Sequence, residues 1–97
     1  MIVKGLDDPK QKGRQVFDLK GFTAEVKHFV IRTATADNPF VPHKHEQKEL
    51  WYVTEGSGVY TQDKKESKVE AGDLIIIDSR VEHGLQTETM IKWICLG

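Results

Sequence analysis

The chain has 97 residues, enough for one domain and too few for two. Lys and Arg total 14 against 15 Asp and Glu, a formal charge of −1 that gives no net pull toward nucleic acid or an anionic membrane. The longest apolar run, Leu74–Ile77, falls far short of the ~20 residues that span a bilayer. Asp7 and Asp8 stand where a signal peptide needs an apolar stretch. The single cysteine, Cys95, excludes an intrachain disulfide and points to a reducing, cytoplasmic setting.

Residues 1–20 are charged and broken by Gly5, Pro9 and Gly13, so they read as an arm with a short strand near 16–19. Within the arm Lys10, Lys12 and Arg14 meet Asp7 and Asp8, the composition of a solvated tail. A single domain is expected over 21–97. Phe22, Ala24, Val26, His28 and Val30 share one parity and suit a strand with an apolar face. Phe29 and Ile31 hold the opposite parity, which predicts burial on both sides. Asp37, Asn38, Pro39 and Pro42 mark 36–42 as a loop. Strands are expected at 50–54 and 59–62, separated by a turn at Glu55-Gly56-Ser57-Gly58. A polar hairpin tip at 63–66 leads to a strand at 67–70, with the charges of 64–70 in solvent. Ala71-Gly72-Asp73 turns the chain into Leu74–Ile77, and 81–86 and Met90–Leu96 complete the set. Short strands at even spacing, with no convincing amphipathic helix, predict an all-β sandwich or small barrel.

The chemistry concentrates in Pro42-His43-Lys44-His45-Glu46-Gln47-Lys48-Glu49. Successive side chains of an extended chain point to opposite faces, so His43, His45 and Glu49 share one face. Trp51 and Val53 continue that face as apolar wall, while Lys44, Glu46 and Lys48 fall on the other. Two imidazoles and a carboxylate converging on one point is what a divalent transition metal requires. Without an ion, each buried polar group left unsatisfied costs about 1–3 kcal/mol. His83, a short polar connection beyond Leu74–Ile77, is the best candidate for a further ligand.

These residues resemble the cupin superfamily. Its first motif reads G-x5-H-x-H-x3-4-E-x6-G, and His43, His45, Glu49 and Gly56 fit that spacing, with Asp37 in place of the leading glycine. The second reads G-x5-P-x-G-x2-H-x3-N, and Gly72 and His83 match. Asp78 replaces its proline, Arg80 its first loop glycine and Thr87 its asparagine. The resemblance covers about 22–96. It implies a small jelly-roll β-barrel with one divalent metal held by His43, His45, Glu49 and His83. It further suggests a homodimer, with the N-terminal strand or Met90–Leu96 at the interface.

Other residues carry paired readings. His28 reads as a wall histidine or as a donor or acid/base lining the barrel. Gln47 has inward parity and could bond a metal-bound water, or sit on a bend. Arg80 could fork onto a substrate carboxylate, or pair with Asp78 or Glu82 at the surface. Trp51 reads as barrel wall, Tyr60 and Gln62 as residues that could face the cavity. Cys95 reads as a small buried hydrophobe or an interface residue.

Nitrogen and oxygen donors of this kind leave positions open for water, O₂ or a chelating substrate. Fe, Mn, Ni, Co, Cu and Zn all tolerate such a set. The favoured function is a metal-dependent enzyme, of dioxygenase type, acting on a small oxygen-bearing organic molecule. The alternatives are a module that binds a sugar, small acid or metal chelate without turnover, and a redox-neutral isomerase or lyase.

Overall fold

The computed structural model describes residues 1–5 and 13–97, so the tail lysines Lys10 and Lys12 lie outside the described residues. Among the described residues eight strands form: β1 (Ile2–Val3), β2 (Phe29–Thr35), β3 (Phe40–His43), β4 (Glu49–Gln62), β5 (Lys65–Glu70), β6 (Leu74–Ile77), β7 (His83–Gln86) and β8 (Met90–Leu96). No helix among the described residues is long and apolar enough to cross a membrane. The first half of β4 pairs with β6 on one side and β8 on the other. Its second half pairs with β5 and β7. Beyond these lie β1 on β6, β2 on β8 and β3 on β7, every pairing antiparallel. Two sheets therefore share one long strand, and their inner side chains meet in one core. This is the all-β jelly-roll barrel that the sequence predicts.

The expected turn at 55–58 is replaced by a continuous strand. Residues on β4 alternate inward as Glu49, Trp51 and Val53, all buried. The register against β8 slips between Val53 and Glu55, and Gly56 follows with φ +80°. A Cβ at Gly56 would collide with the carbonyl oxygen of Met90, so the site requires glycine. The slip moves the inward parity from odd to even, and Tyr60 is the next large buried side chain. A β-bulge with glycine has the composition of a turn but bends the strand from one sheet into the other.

Further departures have local causes. No strand forms at 16–19, and Ile2–Val3 pairs with β6 instead. The strand expected from Phe22 starts only at Phe29. Phe29 and Ile31 are exposed rather than buried on a second side, because β2 is an edge strand packed on one face only. Inside the expected 36–42 loop, residues 40–43 form β3; it is also an edge strand, where Pro42 costs no central ladder bond. The β4–β5 hairpin closes on two residues, Asp63 and Lys64, with φ +48° and +70°, the signature of a tight primed turn.

Apolar periodicity builds the core. On β8 the residues Ile91, Trp93 and Cys95 point inward, and all four residues of β6 are buried. Trp51 and Trp93 lie with ring centroids 5.0 Å apart, and Phe40 meets Trp51 edge-on at 5.0 Å. Burial of each such side chain contributes about 1.5–3 kcal/mol or more.

One buried carboxylate ties the barrel's start to its middle. Asp73 accepts hydrogen bonds from Lys4 Nζ, Gly5 N (2.9 Å) and Glu70 N (2.8 Å). Burial pushes its carboxyl pKa up, but these bonds and the Lys4 charge outweigh burial and hold it below the ordinary value of 3.8. The contribution to stability is full above the unfolded value and is lost as pH falls through the folded one. We expect Asp73→Ala to lower the unfolding free energy by about 2–3 kcal/mol at pH 7. In urea titrations at pH 7 and pH 3, the gap between variant and parent should shrink at the lower pH.

Candidate metal centre

Strand pairing assembles the site. Across β3 and β7, His43 stands opposite His83. Each ring sets its Nδ1 against the carbonyl oxygen two residues back, Val41 O at 3.2 Å and Val81 O at 2.7 Å. An Nδ1–H that donates to a carbonyl leaves Nε2 with a free lone pair, the form that binds metal. His45 follows β3, and the connection after β6 braces it. There Arg80 N donates to His45 O (2.7 Å) and Ser79 Oγ to Glu46 O (2.8 Å). Arg80 has φ +63°, so it occupies the left-handed conformation that the motif's glycine adopts at no cost.

The imidazoles of His43, His45 and His83 converge, each offering one nitrogen within 4.8 Å of the others. Ring centroids are 4.7 Å apart for His43–His83 and 4.9 Å for His45–His83. Glu49, at the start of β4, stands beside the group. Its Oε1 lies 3.3 Å from His45 Nε2 and 3.8 Å from His83 Nε2, and accepts the Trp51 indole N–H at 3.1 Å.

The donors fit a divalent cation. His83 is fully buried, yet among the described residues its Nε2 has no hydrogen-bond partner, and neither does the buried Nδ1 of His45. His83 Nε2 presents a lone pair toward a carboxylate oxygen that is too distant to bond it. A cation between them is the group that both would welcome. Burial is the chief cause of the lowered His83 pKa, with the neighbouring His43 and His45 adding to it against the Val81 bond and Glu49. The ring is therefore neutral and ready to ligate at neutral pH.

The remaining candidates separate. His28 is not on a strand; it precedes β2 and its Nε2 lies 3.4 Å from Glu49 Oε2. Gln47 is exposed on a bend, away from the inward face its parity suggested, because the chain leaves the extended conformation there. Arg80 pairs with Glu46 at 3.0 Å, not with Asp78 or Glu82, and both side chains are largely exposed. Tyr60 donates its hydroxyl to Gln62 Oε1 (3.1 Å), and burial raises its pKa, with the charges of Asp63 and Glu49 adding to the rise. Cys95 is buried as expected, its thiol pushed up to about 12 by burial and by the Glu49 charge.

Two contributors escaped the sequence. Phe40, hidden in a proline-flanked loop, stacks with its ring centroid 6.1 Å from that of His83 and lies tilted at 4.6 Å from His43. Trp51 was legible as wall, but not as the donor that fixes Glu49. The alternation Glu49-x-Trp51 carried that signal, since i and i+2 side chains share a face.

If the orphaned nitrogen of His83 exists for an ion, its removal should affect stability only when the ion is present. We expect divalent cations to raise the Tm of the parent by clearly more than that of His83→Leu. The metal-free variant should match or exceed the parent, since an unsatisfied buried group costs about 1–3 kcal/mol. Differential scanning calorimetry with and without chelator reads both.

The model of the Cupin domain family matches residues 26–97. Among solved structures, a predicted oxalate decarboxylase from Thermotoga maritima is 24% identical, with a TM-score of 0.66, over 73% of this chain and 64% of that one. The chain thus spans less than two thirds of that neighbour's length. A cupin protein from Bacteroides fragilis is 20% identical with a TM-score of 0.64, over 89% of this chain and 84% of that one. An uncharacterized protein with a double-stranded β-helix domain from Klebsiella pneumoniae is 17% identical with a TM-score of 0.64, over 87% and 89%. These structural likenesses concern the fold. The family match covers most of the chain and includes His43, His45, Glu49 and His83, and on it the protein belongs to the cupin family.

Proposed function

We propose that this cupin is a metal-dependent enzyme acting on a small oxygen-bearing organic molecule, with dioxygenase-type oxidation as its reaction. His43, His45, His83 and Glu49 would hold one divalent transition metal. Fe, Mn, Ni, Co, Cu and Zn are all compatible with three imidazoles and a carboxylate. The observation that carries the reading is the buried His83 Nε2, held by the Val81 bond in its ligating tautomer and without a partner among the described residues. When bound, the metal supplies Lewis acidity and, if redox-active, an electron path between substrate and O₂.

The chain's own residues supply orientation and a dry wall. The backbone carbonyls of Val41 and Val81 aim the two facing rings. The indole of Trp51 holds one Glu49 oxygen in place. Phe40, Trp51 and Trp93 form an apolar wall behind the histidines and exclude water from that side. His43 is exposed on the opposite side, where a small substrate reaches the site without any lid moving. That exposure also suits the reading as a binding module, since none of the described residues covers His43.

The test is oxygen uptake by protein stripped with chelator and reloaded with one metal at a time. Its substrate panel holds a catechol, a thiol, a keto acid and oxalate, the last because of the Thermotoga maritima neighbour. We expect uptake with Fe or Mn, lost in His83→Ala. Turnover without O₂ would establish the redox-neutral alternative. A ligand bound tightly and recovered unchanged would establish the binding module. No uptake with any loaded metal overturns the oxidation.

The assembly we propose is a homodimer in a reducing, cytoplasmic setting. Both ladder edges of β8 are taken by β2 and β4; among the described residues the N-terminal strand β1 and the edge strand β2 each keep one unpaired edge, and we assign the contact to that of β2, where Phe29 and Ile31 are exposed. Light scattering should give about twice the chain mass, and Ile31→Lys should return it to that of one chain.

A further inference from the structure

Glu49 has two oxygens, and His45 and His83 approach only Oε1. Its Oε2 lies 3.4 Å from His28 Nε2, and Cys95 Sγ lies 3.6 Å from that same nitrogen. His28, Glu49 and Cys95 offer a nitrogen, an oxygen and a sulfur, all within 4.8 Å of one another. They come from three parts of the chain. His28 stands just before β2, Glu49 opens β4, and Cys95 lies on β8 in register with Trp51.

Three observations point to a ligand. A tetrahedral site with bonds of about 2.0–2.1 Å to nitrogen and oxygen and about 2.3 Å to sulfur has N···O edges of about 3.3 Å and N···S edges of about 3.5 Å. The contacts at His28 match both. His28 Nε2 also carries one proton or one lone pair, never both, yet it faces a carboxylate and a thiol together. Finally, Gly97 leaves room beside the trio. A Cβ there would stand 3.2 Å from His28 Nε2 and 3.0 Å from Glu49 Cγ. Solvent reaches the His28 ring, whose side chain is 30% exposed, while Cys95 and Glu49 form the buried floor.

We infer that His28, Glu49 and Cys95 form a second cation site, selective for a borderline-soft ion such as Zn²⁺ or Co²⁺, with Glu49 bridging it to the ion proposed at His43, His45 and His83. The inference rests on that reading of the three-histidine site, because the carboxylate serves both. On binding, the Cys95 thiol releases its proton to solvent and its sulfur takes the ion; no oxidation state changes. The fourth corner is left to water.

The experiment counts Co²⁺ bound to the reduced, chelator-stripped chain and records its absorption. Cobalt on a thiolate gives a strong near-ultraviolet charge-transfer band that cobalt on nitrogen and oxygen lacks. We expect two ions per chain and the band. Cys95→Ser should abolish the band and leave one ion. His28→Ala, which leaves the core untouched, should also lower the count to one, so the test survives if the buried substitution does not fold. His83→Ala should keep the band while also losing one ion. One ion without the band overturns the second site and leaves the first standing. One ion with a band that survives His83→Ala overturns the paired centre together with the three-histidine site. No bound cobalt overturns both.

Discussion

The site depends on the register of β3 against β7. Two histidines become opposite neighbours only when His43 aligns with His83, and a shift of one residue would turn one ring out of the barrel. The same register places Val41 and Val81 where their carbonyls orient those rings. Backbone pairing, which any strand sequence could make, is here coupled to side-chain chemistry. The ladder between β4 and β7 fixes the other side of β7, with Gln62 opposite His83. His83 is thus clamped between two neighbouring strands and is the most rigidly placed of the imidazoles.

Glu49 is the electrostatic hub. It is buried, and its neighbours among the described residues are an indole N–H, three imidazole nitrogens and a thiol, so no formal positive charge among them faces it unless a histidine is protonated or a cation binds. A carboxylate so placed raises the Cys95 and Tyr60 pKa values and opposes the lowering at His83. A nearby dication would reverse the sign of the local potential. The histidines, the thiol and the carboxylate are therefore one coupled set.

Much of this was legible in the residues. The all-β architecture followed from strand-like runs and Gly-marked turns, and the shared parity of Glu49, Trp51 and Val53 holds on β4. His43, His45 and His83 are brought together as their spacing suggested. What failed to show lies where two signals conflict. Gly56 and Gly58 read as a turn because turns and bulges use the same residues, and only the pairing partners distinguish them. Pro39 and Pro42 masked β3, since proline excludes central strands but not edges. The approach of His28 to Cys95 spans 67 positions and follows from closure of the sheet, which no local pattern encodes.

The placement of β3 at the sheet's margin would also govern how an ion at the histidines entered and left. This strand has only four residues, a proline that donates no backbone hydrogen bond, and an interrupted ladder to β7. A short edge strand of this kind opens at low local cost, and its opening would carry off His43 while His83 stays paired to β4. Exchange kinetics should then follow the local fraying of one short segment rather than global unfolding. The strand that supplies His43 would double as the door.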